Sequence, residues 1–510
     1  MNSQKNRLGI NYSVAAIYIL VSVGGILTAG LVSPASVFES FVNFGRLAWP
    51  IDFYAAGAML QALADTLLLS ILGTSIGFVA ALVLAAALHV SESRILNVFI
   101  RFLTLSFRGI PDLVFALILT QIIGLGPFAG TLAIALGTIG VSTRTLNDML
   151  NASELPAERR LSLAGASRLQ AFTAARIPFH FVEIASQFLF RLEINIRIAT
   201  IIGVVGGGGL GLLLKLSLGS MDYSKTLGVI LVIAITVLAF EQLTRIIRRL
   251  LMQRQQGLSG SAFFWLTPLV LLAFTAGVWS YWRSQSEFEV RLGPLEAMLA
   301  SLSNPNFIEF GGPITKGVFE SLVMTFSGTA ISFTVALLLA SVSSRVAMNS
   351  EWLPGVLRLF LAGFRSIPTI ILGLILVSQL GLGLSSGIAA IAIGSSLYLA
   401  RLISDSFDSN SSGTLNMLYL SGVNRLQAIT LFLGAITKER LIKFLFFSLD
   451  FNFRYSIVLG VVGAGGLGSV VNDALRVQDY ETLFAVLILM VAFLAILEGI
   501  ERLVPKRTEL

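Results

Sequence analysis

The chain has 510 residues, of which 55% are hydrophobic and only 12% are charged. A soluble domain carries about 25% charged residues, so this composition excludes an ordinary soluble protein and predicts one that lies in a bilayer. Cysteine is absent and His89 and His180 are the only histidines, which excludes disulfides and disfavours a metal site. The net charge of +7 lies in short clusters between apolar spans, as in membrane proteins and unlike a nucleic-acid-binding face.

Apolar stretches of about 20 residues predict membrane-spanning helices. The first half of the chain has six, at residues 14–33, 64–88, 102–123, 128–150, 181–205 and 226–246. The second half has counterparts at residues 264–282, 320–343, 357–380, 386–407, 440–462 and 483–503. The first stretch exceeds the apolar region of a secretory signal, which takes about 7–15 residues, so we interpret it as a retained helix. These spans predict an all-α polytopic membrane protein.

Basic residues cluster in alternate connections between the spans. The clusters are Lys5 and Arg7; Arg94 and Arg101; Arg159, Arg160, Arg168 and Arg176; and Arg245, Arg248, Arg249 and Arg254. Since such clusters stay on the cytoplasmic side, both termini are predicted to be cytoplasmic. The polar stretch at residues 252–261 is predicted to join the two halves there.

Three segments of the first half recur in the second half at one constant spacing. RGIP at 108–111 returns as RSIP at 365–368, LAGASRLQA at 163–171 as LSGVNRLQA at 420–428, and GVVGGGGLG at 203–211 as GVVGAGGLG at 460–468. A repeat of this length is a domain, so we predict two tandem six-helix halves, residues 1–255 and 256–510. An even number of helices gives both halves one orientation, with a pseudo-two-fold axis along the membrane normal.

Arg108 and Arg365 each precede an Ile-Pro pair that would kink or begin the third helix of its half. Ionisable residues inside spans indicate a functional pathway. Snorkelling to the cytoplasmic interface explains an Arg at this place equally well.

The connection at residues 151–178, here the 151–178 loop, is long, polar and helix-prone. A link between two membrane helices has no internal need for a helical segment, a Gly turn and a closing Pro. We therefore favour a docking surface for a cytoplasmic partner over a solvated connector.

The fifth span of each half carries charged and amide side chains. In the first half these are Glu193, Asn195 and Arg197, and in the second half Asp450, Asn452 and Arg454. An acid four residues before an Arg can neutralise it on one helix face, which is the purely structural interpretation. The functional interpretation is that the pseudo-two-fold axis brings both sets together around one anion, since a paired Arg keeps further N–H donors.

Two glycine runs follow the fifth spans, and they contain the residues Gly206, Gly207, Gly208 and Gly209, and Gly463, Gly465 and Gly466. Both satisfy G-x-G-x-x-G, but a dinucleotide site needs a strand before the glycines, and here they end a membrane helix. We predict a helix break with close backbone approach; a simple turn is the alternative. No Gly-Lys dipeptide occurs, so ATP must be hydrolysed elsewhere.

The motifs G-A-S-R-L-Q in the 151–178 loop, F-x-x-E-x-N-I-R in the fifth span and G-x-V-G-x-G-G-L-G after it resemble those of the permease subunit of phosphonate importers of the ATP-binding-cassette class. The resemblance covers both halves, so the chain looks like two fused permeases. It implies that the loop seats a short helix in a groove of an ATPase subunit. The matching residues are Gly165, Ala166, Ser167, Arg168 and Pro178 in the first copy, and Gly422 and Arg425 in the second.

The sequence departs from the family pattern in both loops. The glutamate usually found six residues before the glycine is replaced by Arg159, with Glu158 one position off. The second copy has Asn416 at that position, and Ala435 in place of the closing proline. We therefore expect the two halves to couple unequally.

The resemblance implies a transport subunit that catalyses no bond chemistry and imports a phosphonate or a related phosphorus oxyanion. Its expected partners are two copies of a cytoplasmic ATPase, which hold the ATP and Mg, and an extracytoplasmic binding protein. An importer of the same class for another solute, such as methionine or phosphate, is the nearest alternative. Outside the class, the alternative is an ion-coupled secondary transporter, which can also have two parallel halves.

Overall fold

A computed structural model describes residues 33–152, 154–253, 291–307, 312–348, 352–410 and 438–503. Up to residue 253 the helices are α1 (Pro34–Leu47), α2 (Ala56–Val90), α3 (Arg94–Gly109), α4 (Asp112–Ile123), α5 (Pro127–Leu150), α6 (Pro156–Leu163), α7 (Arg168–Ala171), α8 (Ile177–Phe179), α9 (Phe181–Ile202), α10 (Gly209–Gly219) and α11 (Tyr223–Gln253). Those that follow are α12 (Leu292–Ser301), α13 (Pro313–Ser343), α14 (Arg345–Met348), α15 (Trp352–Arg365), α16 (Thr369–Leu380), α17 (Leu384–Asn410), α18 (Lys438–Leu459), α19 (Leu467–Val477) and α20 (Tyr480–Leu503). Wider π-helical turns lie at Phe172–Arg176, Gly203–Gly207 and Gly460–Ala464. The described part of the chain is thus all-α, as the sequence predicts.

Packing divides the chain into two compact units, one of Pro50–Asn304 and one that joins the residues up to Trp49 to Pro305–Leu510. Helix α1 packs with α16, where Val37 and Phe41 cover a buried apolar cluster. Helix α12 packs on α4, and the Arg291 N–H donates to the Ile122 carbonyl at 2.8 Å. The repeat boundary near residue 255 is therefore a boundary in sequence, whereas each packing unit takes one short helix from the other half of the sequence.

The two units have the same internal plan. In one, α2 packs along α5 and α9; in the other, α13 packs along α17 and α18. A Cβ on Gly73 would lie 2.7 Å from Ile134, and one on Gly328 would lie 2.5 Å from Ile391. Small residues let membrane helices approach closely, and these two contacts show that α2 and α13 are equivalent helices.

The kink expected at each Ile-Pro pair is a full break. Helices α3 and α4 meet at 93°, and α15 and α16 at 72°. Pro111 has no N–H and holds the residue before it in an extended conformation, which ends α3. Helix α4 has 12 residues, about 18 Å at 1.5 Å per residue, and cannot alone cross a hydrocarbon core of about 30 Å. Ile95, Phe99 and Phe102 on α3 are exposed, as on a helix that lies in the interface.

Six described helices are long and apolar enough to cross a membrane, and nine spans result if each bent pair counts as one. The six are α2, α11, α13, α17, α18 and α20, all at predicted positions. The predicted fourth span of the first half, residues 128–150, is a helix but is not one of the six. Residues 14–32 of the first predicted span, the whole predicted span 264–282, and most of the linker at 252–261 lie outside the described residues.

Candidate transport and docking sites

The 151–178 loop contains the predicted helical segment and Gly turn. Helix α6 ends at Leu163, and Gly165 follows with φ 91°, a left-handed conformation that favours glycine. Ser167 caps α7: its Oγ accepts from the Gln170 N–H at 3.3 Å, and the Gln170 side chain accepts from the Ser167 N–H at 2.9 Å. Pro178 does not close the segment, because it lies inside the helical turn α8.

One side of this loop is buried in its unit. Phe172 and Ile177 join an apolar cluster with Phe78, Leu146 and Ile184. The other side is open: Leu163 is 80% exposed, and Leu169 and Phe179 are more than half exposed. The loop is therefore anchored by one face and presents apolar side chains on the other, which is the form a docking surface needs.

A polar cluster fixes the same loop to the C-terminal end of α2; we call His89, Asn151, Glu158 and Arg176 the loop clamp. His89 Nδ1 lies 2.9 Å from Asn151 Oδ1, and His89 Nε2 lies 3.1 Å from Glu158 Oε1. Arg176 Nε donates to Glu158 Oε2 at 2.5 Å, and its Nη1 donates to the Leu150 carbonyl. The sequence motifs did not indicate this cluster, although they marked Glu158 as displaced by one position.

Burial raises the pKa of the Glu158 carboxyl, but its hydrogen bonds with His89 and Arg176 outweigh burial and hold that pKa below its ordinary value. A carboxyl with a lowered pKa stabilises the folded state above its ordinary pKa, and this contribution is lost as the pH falls through the lowered value. At neutral pH Glu158 is therefore ionised and paired.

The corresponding loop of the second copy, with Gly422, Arg425 and Ala435, lies outside the described residues. The helix ends that flank it are described. Ser344 Oγ donates to Asp408 Oδ1 at 2.7 Å, and Arg358 Nη2 donates to Asp408 Oδ2. Arg358 Nε also donates to the Ser343 carbonyl at 2.8 Å, so this cluster joins α13, α15 and α17.

The charged residues of the fifth span lie in ion-pair networks within their units. Arg197 Nη2 lies 3.6 Å from Glu193 and 3.5 Å from Glu241. Those two carboxylates are also paired, Glu193 with Arg248 at 3.3 Å and Glu241 with Arg245 at 2.9 Å. In the second copy Arg454 pairs with Asp450 at 2.7 Å. Within the described chain, Arg197 Nε and Nη2 and Arg454 Nε have no hydrogen-bond acceptor.

Asn195 and Asn452 lie on the other face of these helices, since residues two apart in a helix differ by about 200°. Asn195 is fully buried and its Nδ2 donates to Thr74 and Thr138 at 2.8 and 2.9 Å. Asn452 donates to Thr329 at 2.8 Å and accepts from Ser395. The structure therefore places each Asn on a different helix face from its neighbouring Arg, and a shared anion site stays a prediction. The amides join helices inside each unit.

Arg191 has a structural explanation that the sequence did not give. Its Nη2 lies 3.8 Å from Asp112, and its Nε donates to Thr138 at 3.3 Å. At the equivalent positions the second copy has Ser448 and Thr369. The second copy thus has a hydroxyl residue at both positions of this partly buried ion pair, so the pair is a packing feature of the first copy.

The glycine runs break their helices. Gly206, Gly208 and Gly209 have φ of 113°, 84° and 68°, and α9 and α10 meet there at 57°. The Leu210 N–H donates to Thr66 Oγ1 at 2.9 Å. The second copy repeats this geometry, with positive φ at Gly463, Gly465 and Gly466 and a bond from the Leu467 N–H to Ser321 Oγ at 2.8 Å.

Arg108 and Arg365 occupy the last turns of α3 and α15, directly before the two breaks. A Cβ on Gly140 would lie 2.6 Å from the Arg108 backbone nitrogen. Helix α5 therefore passes close to the break, and Arg108 lies at a crowded corner of its unit.

The family model described as binding-protein-dependent transport system inner membrane component matches residues 73–257 and 332–510. The chain belongs to this family of transport permeases and carries its pattern twice. It is thus a multi-pass inner-membrane protein of an importer class that works with an ATPase and a binding protein.

Among similar proteins, the phosphate-import permease protein PhnE of Mycolicibacterium smegmatis is 26% identical over 461 residues, which are 86% of this chain and 83% of that protein. The phosphite transport system permease protein PtxC of Stutzerimonas stutzeri is 29% identical over 43% of this chain and 82% of its own length. A solved structure of the MetNI methionine ABC transporter aligns with a TM-score of 0.35 and 22% identity, covering 39% of this chain and 100% of that chain.

Proposed function

We propose that this chain is the fused transmembrane subunit of an ATP-driven importer for a phosphorus oxyanion such as phosphate, phosphite or a phosphonate. The observation that carries the proposal is the similarity over 86% of the chain to a phosphate-import permease. Similarity to phosphite permeases supports the same ligand chemistry. Each copy also has an Arg with at least one buried N–H group that lacks an acceptor among the described residues, Arg197 and Arg454.

Two ATPase subunits are the proposed cytoplasmic partners, one for each copy of the loop. The exposed Leu163 and Leu169, on a loop whose other face is buried, support docking of the first. The absence of a Gly-Lys dipeptide supports hydrolysis of ATP in those partners, so we propose that this chain holds no cofactor and catalyses no reaction. ATP binding then shifts an equilibrium between inward-open and outward-open forms through contacts that differ between them.

Co-purification tests the class and ligand titration tests the substrate. We expect the chain to co-purify with an ATPase and a binding protein, and that binding protein to bind methylphosphonate, phosphite or phosphate in preference to methionine. Preference for methionine would support the alternative solute and overturn the oxyanion. Ion-driven uptake by the chain alone in ATP-free liposomes would support a secondary transporter instead.

A further inference from the structure

The loop clamp differs between the copies in one informative way. Gly73 of α2 aligns with Gly328 of α13, because each packs on the equivalent isoleucine, and this alignment matches His89 to Ser344. The spacing of the repeated motifs matches Asn151 to Asp408. Both pairs are hydrogen-bonded, at 2.9 and 2.7 Å. In each copy this bond joins the C-terminal end of the second span to the C-terminal end of the fourth.

In sequence, the remainder of the clamp has no counterpart in the second copy. Glu158 and Arg176, which tie the loop to His89, correspond in sequence to Leu415 and Leu433. A leucine pair can form neither the ion pair nor the bond to the helix end. In the second copy Asp408 pairs instead with Arg358 on α15, so that cluster holds membrane helices to each other.

Glu158 is well placed to transmit force. Its side chain is 15% exposed, and those of its partners His89 and Arg176 are 18% and 7% exposed. Its two oxygens contact two elements, α2 through His89 and the π-helical turn Phe172–Arg176 through Arg176. Charge-assisted hydrogen bonds in such a partly buried place are strong and short, whereas the contact of Arg168 with Glu92 is exposed at both side chains and weak.

We propose that Glu158 is a positioning residue that transmits movement of the 151–178 loop to the C-terminal end of α2, a connection for which the second copy lacks the acid and the Arg at the matching sequence positions. The inference rests on the proposed function, in which this loop docks an ATPase. When ATP binding moves the ATPase, the ATPase moves the docked loop. The loop clamp then passes this movement to α2.

The test introduces, at positions 158 and 176, the residues that the second copy has at the equivalent positions. Glu158→Leu with Arg176→Leu replaces both partners by apolar groups, which a buried site tolerates far better than loss of one partner. Glu158→Gln keeps the shape and removes the charge. Asp148→Asn is the matched control, because Asp148 is an exposed acid near the same helix ends that contacts only Arg144, at 3.7 Å, among the pairs described.

Each variant is purified with its ATPase, reconstituted with the binding protein, and assayed for uptake of inorganic phosphate and phosphite per ATP hydrolysed. We expect the double leucine variant to assemble like the wild type but to transport at least tenfold less per ATP. Glu158→Gln should be intermediate and Asp148→Asn normal. Normal transport per ATP by the assembled leucine variant, or loss of its assembly, would overturn the positioning role.

A distance measurement separates this role from the proposed function. The chain has no cysteine, so spin labels can be placed at Ala157 on the loop and Val83 on α2, both exposed and neither on the apolar docking face. The distance between them should stay fixed on ATP binding in the wild type and change or broaden in the leucine variant. The same distances in both proteins would contradict the clamp. Failure of the unaltered chain to bind an ATPase would instead contradict docking itself.

Discussion

At the residue scale, the two glycine runs differ at one position, and the backbone explains why. Gly206, Gly208 and Gly209 have positive φ, whereas the φ of Gly207 is not positive. The counterpart of Gly207 in the second copy is Ala464. A Cβ on Gly207 would lie 2.5 Å from Ile202 Cγ2. The second copy has Leu459 in place of Ile202. Leucine carries no methyl branch on Cβ and so has no atom equivalent to Ile202 Cγ2, which leaves room for Ala464.

This comparison predicts that Gly→Ala changes at Gly207 and Gly209 destabilise the protein unequally. Gly209→Ala combines a positive φ with a clash against Thr66 and should destabilise by about 1–3 kcal/mol. Gly207→Ala should destabilise less, and Ile202→Leu should relieve most of that loss. Thermal unfolding of the detergent-purified complexes measures both. Equal destabilisation at the two glycines, with no relief from Ile202→Leu, would contradict the explanation.

The two fifth-span arginines carry the prediction about the anion pathway. Arg197→Gln leaves Glu193 and Glu241 paired with Arg248 and Arg245, so assembly should persist. We expect Arg197→Gln and Arg454→Gln each to reduce uptake several-fold, since each removes charged donors for the anion, and the double variant to abolish it. Uptake of inorganic phosphate and phosphite is measured at equal complex yield.

The control is Arg245→Gln, which removes a more exposed Arg with one carboxylate partner. Near-normal uptake by a stably assembled double variant would exclude a direct role. Loss of assembly would favour the interpretation that these arginines only hold helices together.

At the scale of single elements, the Gly turn of the 151–178 loop leads to a prediction about coupling. Gly165 has φ 91°, and a Cβ there would meet no atom within 4 Å. A bulky side chain is thus strained by about 1–2 kcal/mol and also projects from the exposed face. Gly165→Leu should depress ATPase activity stimulated by the binding protein more than Gly422→Leu, because the second loop has Leu415 and Leu433 in place of Glu158 and Arg176 and so lacks the residues that anchor the first loop. Equal losses at equal complex yield would contradict unequal coupling.

The elements that sequence predicted are those fixed by local chemistry. Apolar length located the long helices, Ile-Pro located the breaks, and the glycine run located the bend before α10. The loop clamp was not predictable, because His89 and Glu158 are 69 residues apart. Each is also a residue type that is common on protein surfaces, so neither stands out in the sequence. The same limit explains Asn195, whose partner Thr74 is 121 residues away.

At the scale of the whole molecule, the copies keep one plan while polar groups that contact each other differ in pairs. Arg191 with Asp112 corresponds to Ser448 with Thr369, and His89 with Asn151 to Ser344 with Asp408. For Arg191 and Asp112 a paired difference is expected, because a largely buried charge left without its partner is costly. The exchange of α1 and α12 between the packing units was not predictable, since short helices of mixed polarity carry no signal of the surface they cover.

The topology of the chain yields the last prediction. The basic clusters predict that both termini and the linker are cytoplasmic, and Met221, between α10 and α11, is then expected outside. Single cysteines at Gly257 and Met221 in this cysteine-free chain test the arrangement, since Met221 is 74% exposed. An impermeant thiol reagent added to intact cells should label Met221→Cys and leave Gly257→Cys unlabelled until the membrane is opened. Labelling of Gly257→Cys from outside would reverse the orientation of every helix, and the 151–178 loop could then no longer meet a cytoplasmic ATPase.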